Sequence, residues 1–94
     1  MAEFYTYVLR CADGTLYTGW TTDLPRRVRA HNDGRGAKYT AGRRPVQIAY
    51  AEAHESRSAA QRRESEIKRL PRMQKLALIA GSARRPAARG RRCG

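Results

Sequence analysis

Phe4-Tyr5-Thr6-Tyr7-Val8-Leu9-Arg10-Cys11-Ala12-Asp13-Gly14-Thr15-Leu16-Tyr17-Thr18-Gly19-Trp20 is the stretch whose reading decides the fold. Its flanks, Phe4 to Cys11 and Thr15 to Trp20, are rich in Tyr, Val, Leu and Thr, which suit a pleated, half-buried surface. Between them Ala12-Asp13-Gly14 is a hairpin signal, so two antiparallel strands open the domain. The turn admits two registers. A two-residue Asp13-Gly14 loop pairs Ala12 with Thr15 and sends Tyr7 and Tyr17 to opposite faces. A three-residue loop, with Gly14 in the left-handed region, sets Cys11 against Thr15 and Leu9 against Tyr17, which brings Tyr7 and Tyr17 to one face.

Downstream, Asp23 can cap a helix whose first turn tolerates Pro25. Leu24, Val28 and His31 recur there at helical spacing until Asn32-Asp33-Gly34 stops it. Residues 33 to 45 carry Gly34, Gly36, Gly42 and Pro45 among Arg35, Lys38, Arg43 and Arg44, which predicts a long basic loop placed to contact phosphates. Val46 to Ala53 alternates Val46, Ile48 and Tyr50 against Gln47, Ala49 and Ala51, the pattern of a third strand. Ser58 and Gln61 form a capping-box pattern for a second helix that Pro71 ends near Leu70. Met73 to Ala80 predicts a last short apolar helix with Gly81 as its stop. Residues 82 to 94 hold five Arg, no acid and almost nothing to bury, so the expected division is a domain over 1–81 and a disordered basic tail over 82–94.

The 94 residues carry 20 Lys and Arg against 8 Asp and Glu, a formal charge of +12, and without the tail's five arginines the ordered part still carries +7. A polyanion is the expected partner, and nucleic acid the first among polyanions. Cys11 and Cys93 are too few and too far apart for a metal framework, and Cys11 falls inside a strand as a small buried apolar residue. No apolar run approaches the roughly 20 residues that span a bilayer, and Met1 to Val8 lacks the pattern of a secretion signal, so a cytoplasmic protein without a membrane partner is expected.

Three groups of side chains could carry chemistry. On the first helix, Arg27 and His31 lie beside the Leu24 and Val28 stripe, while Arg26 and Arg29 project away. An isolated Arg in such a place commonly snorkels over apolar surface. On the second helix, Ala60, Glu64 and Ile67 fall within roughly 60° of one another, which sets a carboxylate in a core-facing stripe while Glu66 points to solvent. Such a carboxylate needs a cation, either a neighbour such as Arg27 or Lys68 or a metal ion. Tyr5, Tyr7, Tyr17 and Tyr50 sit on strands, where an aromatic is first of all a packing residue.

The order Tyr7-Val8-Leu9, then Tyr17-Thr18-Gly19, then Arg27 and His31 within Asp23 to His31, then Glu64, resembles the GIY-YIG nuclease domain, closest to its small bacterial single-domain members. The similarity runs from about Phe4 to about Ile79 and includes Gly36-Ala37-Lys38-Tyr39-Thr40. Thr6-Tyr7-Val8 and Tyr17-Thr18-Gly19 replace the two name-giving tripeptides, and Trp20 is bulky for a position usually aliphatic, yet no matched catalytic group is lost. No second DNA-recognition domain accompanies the nuclease-like part, so target choice is not implied. The resemblance implies an α/β chain of the α+β type: a three-stranded antiparallel sheet flanked by short helices. It brings Tyr7, Tyr17, Arg27, His31 and Glu64 to one shallow site, and therefore favours the three-residue hairpin loop.

The same resemblance implies a metal-dependent nuclease cutting phosphodiester bonds in DNA, in repair or recombination. Glu64 is then the sole protein ligand to Mg²⁺ or Mn²⁺. Arg27 holds the scissile phosphate, and Tyr7 or Tyr17 orients or deprotonates water, provided a neighbouring cation lowers its pKa, with Lys38 and His31 as helpers. Arg35, Lys38, Arg43, Arg44 and Lys68 add phosphate contacts. The alternative is a non-catalytic nucleic-acid-binding module of the same fold, with Arg27 and Glu64 as an ion pair.

Overall fold

The computed structural model describes residues 3–84, which form a sheet of order β2-β1-β3 with helices on both faces. In chain order the elements are β1 (Phe4–Cys11), β2 (Leu16–Thr21), α1 (Leu24–Asn32), α2 (Lys38–Ala41), β3 (Val46–His54), α3 (Arg57–Lys68) and α4 (Arg72–Arg84). Both neighbours of β1 run antiparallel to it. This is the three-stranded antiparallel sheet flanked by helices that the resemblance implies. Among the described residues no helix is long and apolar enough to cross a membrane.

The hairpin takes the three-residue loop. Gly14 has φ +88°, its N–H donates to Cys11 O, and Cys11 N–H donates to Thr15 O, both at 2.9 Å. Asp13 Oδ1 accepts from Thr15 N at 3.1 Å and from the Thr15 hydroxyl at 2.7 Å, which fixes the turn on its exposed side. Leu9 therefore opposes Tyr17, and Tyr7 opposes Gly19. Because cross-strand partners share a face, Tyr7, Leu9 and Tyr17 point together toward α1.

As the central strand, β1 is covered on both sides, and Thr6, Tyr7, Val8 and Leu9 are all buried. On the α1 face Tyr7, Leu9, Cys11 and Val46 form a core against which Tyr17, Leu24 and Val28 pack. Cys11 is a buried free thiol, as its strand position implies; Cys93 lies outside the described residues. On the other face Ala60 and Ile67 of α3 are fully buried, and the Thr6 hydroxyl donates to Ala60 O at 2.8 Å.

Four local readings are corrected. The alternation of β3 breaks at a bulge: Leu9 pairs with Ile48 but Val8 pairs with Tyr50, so Ala49 is extra and Tyr50 moves to the α3 face. The cap of α3 is Ser56, whose hydroxyl accepts from Ala59 N at 3.1 Å, so the Ser58 and Gln61 pattern lies inside the helix. Residues 33 to 45 are not a continuous loop, because α2 forms within them around the buried Thr40. Helix α4 runs through Gly81 to Arg84, and Gly81 is not among the glycines at positive φ; a helical glycine costs only about 1 kcal/mol relative to alanine, too little to impose a stop. Of the expected tail, residues 82 to 84 thus belong to α4, and 85 to 94 lie outside the described residues.

Helix α1 starts where its sequence demands, with the Asp23 carboxylate accepting from Arg26 N at 3.1 Å. Its end is tied to the sheet, since Asn32 donates to Val46 O at 3.1 Å and accepts from Val46 N at 2.7 Å. That two-way bond holds the α1 face with its arginine and histidine over the hairpin.

Candidate active site

Tyr7, 1% exposed, projects its phenol beneath α1. Arg27 Nε donates to Tyr7 Oη at 3.4 Å, and His31 Nε2 lies 3.2 Å from the same oxygen. The ring reaches that position because residue 19 has no side chain: a Cβ on Gly19 would lie 2.6 Å from Tyr7 Oη. This is the physical content of the glycine in Tyr17-Thr18-Gly19.

His31 is fully buried and held on every side. Its Nδ1 lies 2.8 Å from Thr40 Oγ1, and the Thr40 hydroxyl lies 3.1 Å from Ala37 O. The Tyr17 ring packs against it with centroids 5.2 Å apart, and Tyr7 meets it edge-on at 6.2 Å. The backbone of Gly36 covers the imidazole so closely that a Cβ there would lie 2.2 Å from Nδ1. Arg27 closes the loop over the site by donating from Nη2 to Gly36 O at 3.4 Å.

Burial sets the electrostatics. It pushes the Tyr7 phenol above its ordinary pKa, opposed by the hydrogen bond and charge of Arg27 and aided by the charges of Tyr17 and Glu64. It also holds the His31 pKa down, with the Arg27 charge acting in the same direction. Tyr7 therefore rests as a phenol and His31 as a neutral imidazole. The condition set for a tyrosine base, that a neighbouring cation lower its pKa, is not met at Tyr7, because desolvation outweighs Arg27.

Glu64 enters from α3, its side chain 20% exposed, with Oε2 3.2 Å from Lys68 Nζ one turn later. Its charge is felt at Tyr7. The structure thus brings Tyr7, Arg27 and His31 into direct contact, adds Tyr17 through its ring, and sets Glu64 within electrostatic reach. Among the described residues no group of three or more His, Cys, Asp or Glu could hold a metal ion.

The expected phosphate-contacting cations are spread around this centre. Lys38 is exposed at the start of α2, and Arg35 bridges Asp33 at 3.0 Å on the surface. Arg43 lies 4.3 Å over the Tyr39 ring, donates to Tyr39 O at 2.7 Å and bridges Asp13 at 3.1 Å. Arg44 donates to Ala41 O at 2.8 Å and Asn32 O at 3.3 Å, so it caps backbone carbonyls rather than standing free. Lys68 is taken by Glu64. Thr40, Gly36 and Gly19 shape the surroundings of Tyr7 and His31, a part to which the residue pattern did not point. A lone Thr on a four-residue helix carries no periodic signal, and the glycines reveal their use only when the tertiary neighbours are known.

Comparison with known proteins agrees with this geometry. Residues 3–77 match the GIY-YIG catalytic domain model. A UPF0213 protein of Natronomonas pharaonis is 56% identical over 79 residues, covering 84% of this chain and 93% of its own length. A UPF0213 protein of Clostridium perfringens is 53% identical over 79 residues, covering 84% and 85%. The solution structure of EF2693 from E. faecalis shares 42% identity, with TM-score 0.61 over 92% of this chain and 95% of that one. That of the UPF0213 protein BH0048 from Bacillus halodurans shares 45%, with TM-score 0.55 over 83% of each. With a hairpin that sets two motif tyrosines on one face and an arginine and histidine closing over the first of them, the chain belongs to the GIY-YIG family.

Proposed function

We propose that this chain is a divalent-metal-dependent nuclease that hydrolyses phosphodiester bonds in DNA, with repair or recombination as its setting. The observation that carries the reading is the convergence of Arg27 and His31 on the buried Tyr7 hydroxyl in a chain of the GIY-YIG family, whose members are generally nucleases.

The chemistry needs a proton outlet, a cation on the phosphate and stabilisation of the leaving oxygen. Tyr7 has the outlet: as it takes a proton from the attacking water, its own passes to His31 Nε2. The water oxygen forms the new P–O bond, the old P–O bond breaks, and the leaving oxygen takes its proton from solvent. Tyr17 has no hydroxyl hydrogen bond among the described residues and is half-buried, which suits orienting the water or substrate. Arg27 keeps its Nη1 donor free of described partners for the scissile phosphate.

A hard divalent cation fits the donor set. The part-buried Glu64 carboxylate has only Oε2 engaged, and with no three-residue ligand cluster among the described residues the protein would supply one carboxylate while water and phosphate oxygens complete the shell. When bound, Mg²⁺ or Mn²⁺ supplies Lewis-acid stabilisation of phosphoryl charge. The non-catalytic alternative required an Arg27–Glu64 pair, whereas Glu64 meets Lys68 and Arg27 meets Tyr7 and Gly36.

The deciding experiment is cleavage of labelled single-stranded, duplex and branched DNA in Mg²⁺, Mn²⁺ or EDTA, comparing wild type with Glu64→Gln. Cutting that requires metal and vanishes in Glu64→Gln supports the proposal. Tight binding by both proteins without cutting of any substrate would replace it with the binding module.

A further inference from the structure

Thr40 is a fully buried hydroxyl on a helix of only four residues, and its place in the His31 network has a consequence for proton direction. Four polar groups meet in sequence: Arg27 Nε, Tyr7 Oη, His31 and Thr40 Oγ1, with Ala37 O at the end. Among the described residues only one assignment gives every proton an acceptor. If Thr40 donates to Ala37 O, its oxygen accepts from His31 Nδ1–H, His31 Nε2 is bare, and Tyr7 O–H donates to it while accepting from Arg27. In the opposite assignment Thr40 donates to Nδ1, and both Nε2–H and Arg27 Nε–H point at Tyr7 Oη. The proton of a phenol 1% exposed then has no described acceptor, which is the costly outcome for a buried group.

We propose that Thr40 is a positioning residue that fixes His31 as the Nδ1–H tautomer, so that Nε2 faces Tyr7 as a proton acceptor. The catalytic consequence rests on the nuclease reading above; the tautomer does not. Among the described residues, Tyr7 from β1, Tyr17 from β2, Arg27 from α1 and Thr40 from α2 are the polar side chains around the imidazole, and of these only Thr40 offers an acceptor to Nδ1. Gly36 completes the arrangement, since its missing side chain leaves room for Nδ1 and Thr40 to meet.

The test pairs a spectrum with kinetics. In nitrogen-15 spectra of the intact chain at neutral pH, wild-type His31 should show a pyrrole-like Nδ1 and a pyridine-like Nε2. Thr40→Val keeps the shape but removes the acceptor and should invert that pattern, while Thr40→Ser should preserve it. In the Mg²⁺ cleavage assay Thr40→Val should lower kcat by about 10²-fold with KM unchanged, the scale of a lost proton-transfer partner, and Thr40→Ser should restore it. A wild-type His31 with bare Nδ1 overturns the proposal, as does a Thr40→Val protein with wild-type kcat. If Thr40→Val does not fold, the wild-type and Thr40→Ser spectra still decide the tautomer. If wild type cuts nothing, the nuclease reading fails on its own while the spectra judge Thr40.

Discussion

Replacing Gly36 by alanine tests the site's packing without relying on any activity. The new Cβ would lie 2.2 Å from His31 Nδ1, 2.4 Å from Cγ and 2.7 Å from Cε1, where ordinary contact begins at 3.4 Å, so the ring or the loop must shift by more than 1 Å. The ring has little room to retreat, being fully buried between Tyr7, Tyr17 and Thr40. A shift of that size breaks the 2.8 Å bond to Thr40 and strands its buried partners, at about 1–3 kcal/mol. Overpacking adds about 1–3 kcal/mol. The expected loss is about 2–6 kcal/mol, a large share of the roughly 5–15 kcal/mol that holds a domain folded. Gly42→Ala is the control, because a Cβ there meets nothing within 4 Å, and it should stay within about 0.5 kcal/mol of wild type. Urea unfolding of the three proteins measures the difference. A Gly36→Ala midpoint equal to that of Gly42→Ala would refute the close-approach argument and mean that the 34–37 loop yields freely.

Arg27→Lys should reduce cleavage more through kcat than through KM, because a lysine cannot hold Tyr7, Gly36 O and a phosphate at once with a planar fork; equal losses in both would remove Arg27 from the transition state. The Tyr50 hydroxyl donates to Glu52, which also receives His54 at 2.9 Å and Arg63 at 2.8 Å. Burial first, then Glu52, push the Tyr50 pKa up to about 12. A raised folded pKa contributes stability that is complete below the unfolded value near 10 and is lost as pH rises through about 12. Thermal midpoints measured across that window should fall more steeply for wild type than for Tyr50→Phe, and parallel curves would contradict the assignment.

Much of the frame was legible because it rests on local chemistry. Ala12-Asp13-Gly14 marked a turn with two open registers, of which the resemblance favoured the one that Gly14 at φ +88° takes, and Asp23 marked the start of α1 through a side-chain bond to a residue three positions on. What escaped depends on contacts distant in sequence. The bulge at Ala49 was invisible because alternation in Val46 to Ala53 is equally good without it; it is the tie of Tyr50 to the α3 face through Glu52 and Arg63 that agrees with the shifted register. The Ser58 and Gln61 pattern placed the cap of α3 two residues late, because the hydroxyl that reaches the free N–H of Ala59 is that of Ser56. In the candidate site, motif order pointed to Tyr7, Arg27 and His31, which meet in the structure, whereas the net direction of the Tyr7 pKa was not legible, because sequence reveals neighbouring cations more readily than the depth of burial that opposes them.

The distribution of charge bears on how a polyanion would approach. From Val46 to Ser56 the chain holds no Lys or Arg and two Glu, in a protein of net charge +12, so β3 itself offers phosphate no cation of its own. The cations of residues 33 to 45 lie instead beside α1 and α2, yet most already serve the fold. Arg44 holds two backbone carbonyls, and Arg43 holds Tyr39 O, the Tyr39 ring and Asp13. Exposed ion pairs such as Arg43–Asp13 contribute only about 0–1 kcal/mol, so a phosphate can compete for that guanidinium at little cost. Arg44, by contrast, would leave carbonyls at the ends of α1 and α2 without their donor. Removing Arg43 should therefore weaken nucleic-acid binding with small loss of stability, while removing Arg44 should weaken both. The count of positive residues predicts a polyanion partner, but which of them can turn toward it is decided by what each already holds.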